Sequence, residues 1–201
     1  MTYKKSSKTD GATIRTQMIA TALDLAADGQ WEMIDLSDIA EQAGVSSVDA
    51  LELFDEKTDI LAAYDRIVNR HAIEEVDLSD DLPCRDKLFD LVMARFDILN
   101  ENRGALLNIL GSFKGDPKEA LLSFPHLGKS MARLLDASGL QTNGISGALR
   151  VTGMVGLYLY VVKTWKEDES ADMGKTMVTL DKGLDKCQMF NASILDRLPC
   201  S

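Results

Sequence analysis

Apolar residues recur along this chain at helical spacing, and no stretch alternates strictly between apolar and polar positions. Steps of three and four residues predict an all-α protein. The first helix is predicted over residues 13–28, with Gly29 as its natural stop. Its apolar stripe follows steps of four, four and three positions and consists of Ile14, Met18, Ala22 and Leu25.

Two short helices are predicted next, over residues 35–43 and 47–54, with Gly44 in the turn between them. A longer helix is predicted over residues 57–73. The acidic stretch that follows, over residues 74–81, is the predicted link to a second unit because it is polar and ends before a proline.

The second unit has wide apolar stripes, which are typical of helices that contact neighbours on two sides. The first of these stripes lies over residues 88–113. A new helix is predicted to start at Pro117, since proline suits the first helical position. It is predicted to break near Pro125 and to resume as far as residue 138.

Two long helices are predicted at the C-terminal end, over residues 144–167 and 173–195. The last helix has apolar residues at heptad-like steps of four and three, a pattern typical of helices that pack along each other. These residues are Met173, Met177, Leu180, Leu184 and Cys187. Both helices carry more apolar surface than one subunit can cover, so we expect a two-fold homodimer.

The composition restricts the classes of partner. The 201 residues are 45% hydrophobic and 27% charged, as in an ordinary soluble globular chain. The formal net charge is −10, which argues against a generic nucleic-acid or anionic-membrane binder, because those partners attract clusters of Lys and Arg. Any DNA binding must therefore be local.

The cysteines and the apolar stretches predict a cytoplasmic protein without a membrane partner. The three cysteines are an odd number at distant positions, which suits reduced thiols. They are Cys84, Cys187 and Cys200. The longest apolar stretch covers residues 151–162, which is shorter than the roughly 20 residues that a membrane span needs.

Residue patterns for catalysis or metal binding are lacking. The two histidines, His71 and His126, have no Cys, His or carboxylate at metal-ligand spacing around them. The glycine-containing segment over 111–115 lacks the Gly-Lys-Ser/Thr of a phosphate-binding loop. Asp and Glu fall on polar helix faces, where solvated side chains are common. The sequence therefore predicts no enzyme, no metal and no cofactor.

Residues 37–46 have the pattern of a helix-turn-helix. The small residue Ala40 lets two helices cross closely, Gly44 supplies the turn, and Val45 fills the core below it. Together with the helices on either side, residues 13–61 resemble the DNA-binding head of the tetracycline-repressor (TetR) family. The matching landmarks are Ala22, Gly29, Ile39, Ala40, Gly44, Val45, Phe54, Lys57 and Leu61.

The resemblance implies a three-helix head over residues 1–56 and a helical ligand-binding and dimerisation body over residues 57–201. A protein of this type is a homodimeric transcriptional regulator, commonly a repressor, that a small molecule releases from operator DNA. The resemblance places Ser46, Ser47 and Val48 at the entry to the major groove and Lys57 on a phosphate. Lys8 and Arg15, in the N-terminal arm, are expected to add contacts to the DNA backbone.

Met and aromatic residues on apolar faces of the body are the candidates for a pocket that takes a small hydrophobic ligand, since flexible Met side chains suit an adaptable site. Core packing is the alternative for each of them. They are Met93, Phe96, Phe113, Met131, Met154 and Tyr158. The dimer interface is expected at Leu157, Val161, Trp165, Met177, Leu180 and Leu184.

The head departs from the family at its phosphate contacts, where the usual Thr, Thr and Tyr are replaced by Asp35, Asp49 and Leu51. Residues 21–70 hold twelve acids and three bases, a net charge of −9, whereas residues 1–20 carry a net +3. The leading interpretation is an operator-binding regulator. The alternative, which these replacements favour, is a TetR-shaped protein that has lost DNA binding and binds a lipid, a quinone-like molecule or a protein partner.

Overall fold

In a computed structural model of the protein, residues 11–79, 81–113 and 117–195 are described. These residues form nine α-helices and one 3-10 turn without any strand, which confirms the predicted all-α class. The helices are α1 (Gly11–Ala27), α2 (Leu36–Gln42), α3 (Ser47–Leu53), α4 (Lys57–Glu75), α5 (Cys84–Glu101), α6 (Arg103–Ser112), α7 (Pro117–Ala137), α8 (Gly144–Glu167) and α9 (Gly174–Leu195). The 3-10 turn, Trp31–Met33, lies between α1 and α2.

The chain divides into two compact units. The first comprises the residues up to 65 together with residues 102–122, and the second comprises residues 66–101 and 123–201. The first unit includes α6 because α6 packs along α1. These units describe compactness alone, so a functional division after residue 56 stays a prediction.

Helix α1 is the central element of the first unit and packs against α2, α3 and α6. Its buried stripe keeps four-residue steps through Met18, Ala22 and Ala26, each at most 1% exposed. The stripe therefore ends on Ala26, whereas the neighbouring Leu25 is half-buried. The helix stops at Gly29 as predicted. Gly29 has a φ of +77°, a value that side chains with a Cβ rarely adopt.

The two short helices of the head are joined as the sequence pattern predicts. Gly44 lies between α2 and α3 with a φ of +66°. The N–H of Val45 donates to the carbonyl of Ala40 at 2.9 Å, so the chain turns back over the end of α2 before α3 begins. Ala40 is 1% exposed, as expected for the small residue at which the two helices meet.

In the second unit, α9 packs against α8 and α5. A Cβ at Gly183 of α9 would lie 2.2 Å from Cδ1 of Leu157 on α8, so a larger residue at this point would require the Leu157 side chain to move. Trp165 of α8 and Leu180 of α9 are almost completely buried. The two C-terminal helices therefore form a tight pair within one chain.

Helix α7 continues through Pro125, so the predicted break at this residue is wrong. Proline removes one backbone hydrogen bond from a helix and bends it, but the turns beyond it can still form. Met131 and Leu134, both fully buried, fix the part of α7 that follows Pro125. Their packing explains why α7 stays continuous beyond Pro125.

By length and composition, α8 is apolar enough to cross a membrane, and among the described residues it is the one helix of this kind. A core helix of a soluble protein passes the same test. Met154, Tyr158 and Trp165 of α8 are buried within the protein, so one face of α8 serves as core.

The connection between α8 and α9 is organised by one buried carboxylate. Asp168 is 2% exposed, and its Oδ2 accepts hydrogen bonds from the N–H and the hydroxyl of Thr176, each at 2.8 Å. Its Oδ1 accepts from the N–H and the hydroxyl of Ser170. Burial alone raises the pKa of Asp168, but these hydrogen bonds outweigh it and hold that pKa well below the ordinary value.

Replacing Asp168 with Ala should lower the free energy of unfolding by about 3 kcal/mol, because the Thr176 N–H and hydroxyl are then buried without an acceptor. Since the folded-state pKa is lowered, the stabilisation by Asp168 is complete above the unfolded pKa of about 3.9 and is lost as the pH falls below it. Urea unfolding at several pH values measures both effects. Glu169→Ala, at an exposed neighbour, is the control, and equal stability of the two variants would contradict this role.

Candidate functional site

The predicted DNA-facing side of the head begins at the N-terminus of α2, which Asp35 caps. Its Oδ1 accepts hydrogen bonds from the N–H groups of Ser37 at 2.7 Å and Asp38 at 3.0 Å. In return, the N–H of Asp35 donates to Oδ2 of Asp38 at 2.8 Å, which completes a capping box. The bond from the Asp38 N–H, against the opposing effect of burial, lowers the pKa of Asp35. The cap is therefore an anion at neutral pH.

The start of α3 is capped in a similar way. The hydroxyl of Ser46 donates to Oδ2 of Asp49 at 2.7 Å and accepts from the Asp49 N–H at 3.1 Å. Ser47 and Val48 follow and are exposed, with Val48 at 69%. Of the three residues expected in the major groove, Ser46 is thus engaged in its own helix cap, while Ser47 and Val48 face solvent.

Lys57, the expected phosphate contact, points into the head. Its Nζ donates to the carbonyl oxygens of Trp31 at 2.8 Å and Ile34 at 3.1 Å. The same Nζ lies 4.9 Å from the centre of the Trp31 ring, within the range of a cation–π contact. These contacts connect the start of α4 to the 3-10 turn, which gives Lys57 a structural role.

Lys57→Met should therefore destabilise the head. Two hydrogen bonds from a charged donor and a cation–π contact are lost, which predicts a decrease of about 2 kcal/mol in the free energy of unfolding. Urea unfolding measures this loss, with Lys163→Met as the control because Lys163 is exposed on α8. A Lys57 variant as stable as the control would show that the carbonyl contacts are not important for the fold.

Of the two arm residues expected at DNA, Lys8 lies outside the described residues. The guanidinium carbon of Arg15 lies 5.8 Å from the centre of the Phe54 ring. Its Nε is buried without a hydrogen-bond partner among the described residues. Arg15 therefore packs over the aromatic core of the head with part of its side chain.

A cleft of about 460 Å³ opens between the starts of α2, α3 and α4. It is lined by three of the positions at which the family resemblance places phosphate contacts, occupied here by Asp35, Leu51 and Lys57. Leu51 is 62% exposed. An acid and an apolar side chain thus occupy positions where DNA contact requires cations or hydroxyl donors.

The candidate pocket residues are found in both units. Phe113 is half-buried in the first unit, whereas the other five are buried in the second unit: Met93, Phe96, Met131, Met154 and Tyr158. The rings of Phe96 and Tyr158 stack with their centres 5.4 Å apart. The second unit therefore brings five of the six predicted residues into an apolar interior.

A series of hydrogen-bonded polar side chains crosses this interior, and the sequence pattern did not predict it. Arg95 is 3% exposed; its Nε donates to the hydroxyl of Tyr158 at 2.9 Å and its Nη1 donates to Oδ1 of Asn69. The amide of Asn69 donates to the hydroxyl of Ser130 at 2.6 Å. The sequence nevertheless indicated that Arg95 is buried, because Arg95 lies seven residues after Leu88 and therefore on the same apolar stripe of α5.

The predicted dimer residues are mostly covered within a single chain, and their place in an interface stays a prediction. Five of the six are at most 8% exposed: Leu157, Val161, Trp165, Leu180 and Leu184. They form the contact between helices of the same chain. Met177 is the exception, at 41% exposed.

A different face of α8 is apolar and exposed. Ile145, Leu149 and Tyr160 are 85%, 67% and 61% exposed, and their spacing places them on one side of the helix. Gly156 lies on the same side, and a Cβ there would meet no atom within 4 Å. This side, defined by these four residues, is called the α8 outer face below.

The described residues contain no group of three or more His, Cys, Asp or Glu side chains arranged to hold a metal ion. Three carboxylates of the head instead stabilise helix starts: Asp35 caps α2, and Asp49 accepts a hydrogen bond from the hydroxyl of Ser46, which caps α3. At the start of α4, Oδ2 of Asp59 accepts from the N–H groups of Asp55 and Glu56. These three acidic residues thus have local structural roles.

No family model matches the sequence, and no curated protein matches it significantly. Among solved structures, the chain is similar to a TetR transcriptional regulator from Nitrosomonas europaea ATCC 19718, with a TM-score of 0.66 and 21% sequence identity. The match covers 87% of this chain and 98% of that chain. The TetR-like fold that the helix-turn-helix pattern implied is therefore confirmed.

Proposed function

We propose that this protein is a cytoplasmic, non-enzymatic homodimer that binds a small hydrophobic ligand in its helical body and no longer binds DNA through its helix-turn-helix. One observation supports the proposed loss of DNA binding most directly. The ammonium group of Lys57, the expected phosphate contact, is bound to the carbonyl oxygens of Trp31 and Ile34.

Electrostatics support the loss of DNA binding. Phosphate contacts by Lys and Arg supply most of the non-specific affinity of a DNA-binding protein. In this head the carboxylates of Asp35 and Asp49 lie at the starts of α2 and α3, where phosphates would have to approach. Each carboxylate adds repulsion, and Leu51 offers the phosphate no donor.

The second candidate function is an operator-binding regulator, a repressor by the family resemblance, that a ligand releases from DNA. It is favoured by the intact backbone of the helix-turn-helix, with the turn at Gly44 and the solvent-facing Ser47 and Val48 on α3. In this case the N-terminal arm, with Lys8, would have to supply the phosphate contacts. The packing of the head supports both candidates equally.

The second unit is the proposed ligand site. Met93, Met131 and Met154 are buried there beside the stacked rings of Phe96 and Tyr158. Flexible thioether side chains adapt to ligands of different shape. The hydroxyl of Tyr158, already in a hydrogen bond with Arg95, places a polar group at the apolar site, which suits a ligand with one polar end such as a lipid or a quinone.

Dimer formation is assigned to the α8 outer face, in place of the residues that the sequence pattern suggested. Apolar side chains as exposed as Ile145 and Leu149 are stabilised when a second copy covers them, and a two-fold contact is the commonest arrangement. Gly156 lets two helices approach closely at the centre of this face. Met177 and Val178 of α9, both exposed, extend the apolar surface.

Selection from a random pool of duplex DNA with the purified full-length protein separates the two candidate functions. The proposal expects no enriched sequence, either with or without an organic extract of the source cells as the supply of ligand. Enrichment of a palindromic sequence would refute the loss of DNA binding and establish the operator-binding regulator.

Ligand binding is tested separately by native mass spectrometry of the purified protein and by thermal shift with a diacyl phospholipid and a short-chain benzoquinone as probes. We expect a co-purified hydrophobic molecule or a raised melting temperature with one of the two probes. Met131→Lys should abolish either signal. Its folding is checked by circular dichroism, and Met131→Leu, which keeps the volume and apolar character, is the matched control.

A further inference from the structure

We propose that the cleft between the starts of α2, α3 and α4 is a docking site for a cationic, amphipathic segment of a partner protein. This inference rests on the proposed loss of DNA binding, since the two partners would use the same face. It assigns to that face a ligand class that neither the fold nor the family resemblance supplies.

The cleft has the size and lining of a recognition site. Its volume of about 460 Å³ falls in the range of about 300–1,000 Å³ typical of ligand pockets. Apolar side chains from α2, from α3 and from the residues just before α2 line it: Ile34, Leu36, Ala40, Ala50 and Leu51. An apolar anchor side chain of a partner would be covered on several sides there, as anchor residues of protein interfaces are.

The apolar surface continues beyond the cleft, which indicates an extended partner rather than a small molecule. Leu51 and Val48 of α3 are 62% and 69% exposed and lie one helical turn apart. Met33, next in the chain to the lining residue Ile34, is 78% exposed. Exposed apolar side chains grouped with polar neighbours mark interaction surfaces.

The charges around the cleft select a cationic partner. Asp35, Asp55 and Glu56 line it, whereas the positive group of the lining residue Lys57 is directed to backbone carbonyl oxygens. Nucleic acid and an anionic membrane are both repelled by these carboxylates. Basic side chains flanking an apolar anchor complement this surface and raise the association rate.

The test uses a phage-displayed library of random dodecapeptides against the immobilised full-length protein at about 0.15 M salt, where long-range attraction is screened beyond about 8 Å. We expect enriched peptides that combine Lys or Arg with a large apolar residue. The best peptide is then labelled with fluorescein and titrated with the soluble protein and its variants.

Two pairs of variants decide the result. Leu51→Ser should weaken the labelled peptide about tenfold, as loss of an anchor contact does, whereas Leu159→Ser, at an exposed apolar residue of the other unit, should not. The double variant Asp55→Asn/Glu56→Gln should weaken it more than Glu167→Gln/Glu169→Gln, which changes the net charge equally. No enrichment, or equal effects within both pairs, would overturn the docking site.

A direct DNA-binding measurement distinguishes this inference from the proposed function. Labelled duplex DNA, without peptide, should stay unbound by the protein at about 0.15 M salt, because the face repels phosphate. Binding of both the peptide and the duplex would overturn the loss of DNA binding and leave the docking site in place. Absence of both peptide and DNA binding would overturn the docking site and leave the loss of DNA binding in place.

Discussion

The Leu149→Asp variant is expected to be a monomer at concentrations at which the parent protein is a dimer. Leu149 lies on the α8 outer face, between Ile145 and Gly156, and is 67% exposed in the single chain. In the dimer it would be covered, so a carboxylate there would be buried without a partner. We expect the dissociation constant to rise at least about 100-fold, which corresponds to roughly 2.8 kcal/mol.

Sedimentation-velocity ultracentrifugation across a range of concentrations measures this change. Leu184→Asp is the informative comparison, because Leu184 is 4% exposed inside one chain and a charge there should unfold the protein rather than separate two folded subunits. A folded, monomeric Leu184→Asp variant would restore the interface that the heptad-like spacing suggested. A dimeric Leu149→Asp variant would place the interface elsewhere.

The parent protein is expected to bind duplex DNA more weakly than about 10⁻⁴ M at physiological salt, the weak end of non-specific binding. The triple variant Asp35→Thr/Asp49→Thr/Leu51→Tyr restores the family's phosphate-contact residues and removes two negative charges. We expect its affinity for duplex DNA to increase at least tenfold. We also expect the logarithm of its binding constant to fall more steeply with the logarithm of the salt concentration, by roughly 0.9 unit of slope for each phosphate contact formed. Fluorescence anisotropy with a labelled duplex at several salt concentrations measures both.

The control is Glu167→Gln/Glu169→Gln, which removes two charges from exposed positions of the other unit. Deletion of residues 1–10 tests the arm, since it removes Lys4, Lys5 and Lys8. If the parent binds with nanomolar affinity and the deletion lowers that affinity with a shallower salt slope, the arm supplies the contacts and the operator-binding regulator is correct. A triple variant no better than the control would show that charge at the helix starts is not the obstacle.

The helices and the head were largely predictable from the sequence because their signals are local. Gly44, which adopts a positive φ, marks the turn because it lies between two short helical patterns. Periodic apolar residues define a buried stripe, as those of α1 do. The exception was Pro125, where buried residues later in α7 keep the helix continuous.

The surfaces were less predictable, since a pattern shows which residues are apolar but not which chain covers them. Helix α8 has apolar residues on several sides, so Leu157 and Tyr160 looked equivalent until the position of α9 was known. Leu157 contacts α9 near Gly183, whereas Tyr160 is 61% exposed. The orientation of a side chain such as Lys57 likewise depends on residues far away in the sequence.

The contacts of Lys57 change what a motif match in this protein means. In the family, a lysine at the start of α4 is taken as a contact to nucleic acid. Here the same side chain binds the carbonyl oxygens of Trp31 and Ile34 and so connects two segments of the head. A chain under selection for folding alone would keep this lysine, together with the glycine of the turn. The lysine and the glycine at these positions therefore indicate the architecture of the head and do not by themselves identify its partner.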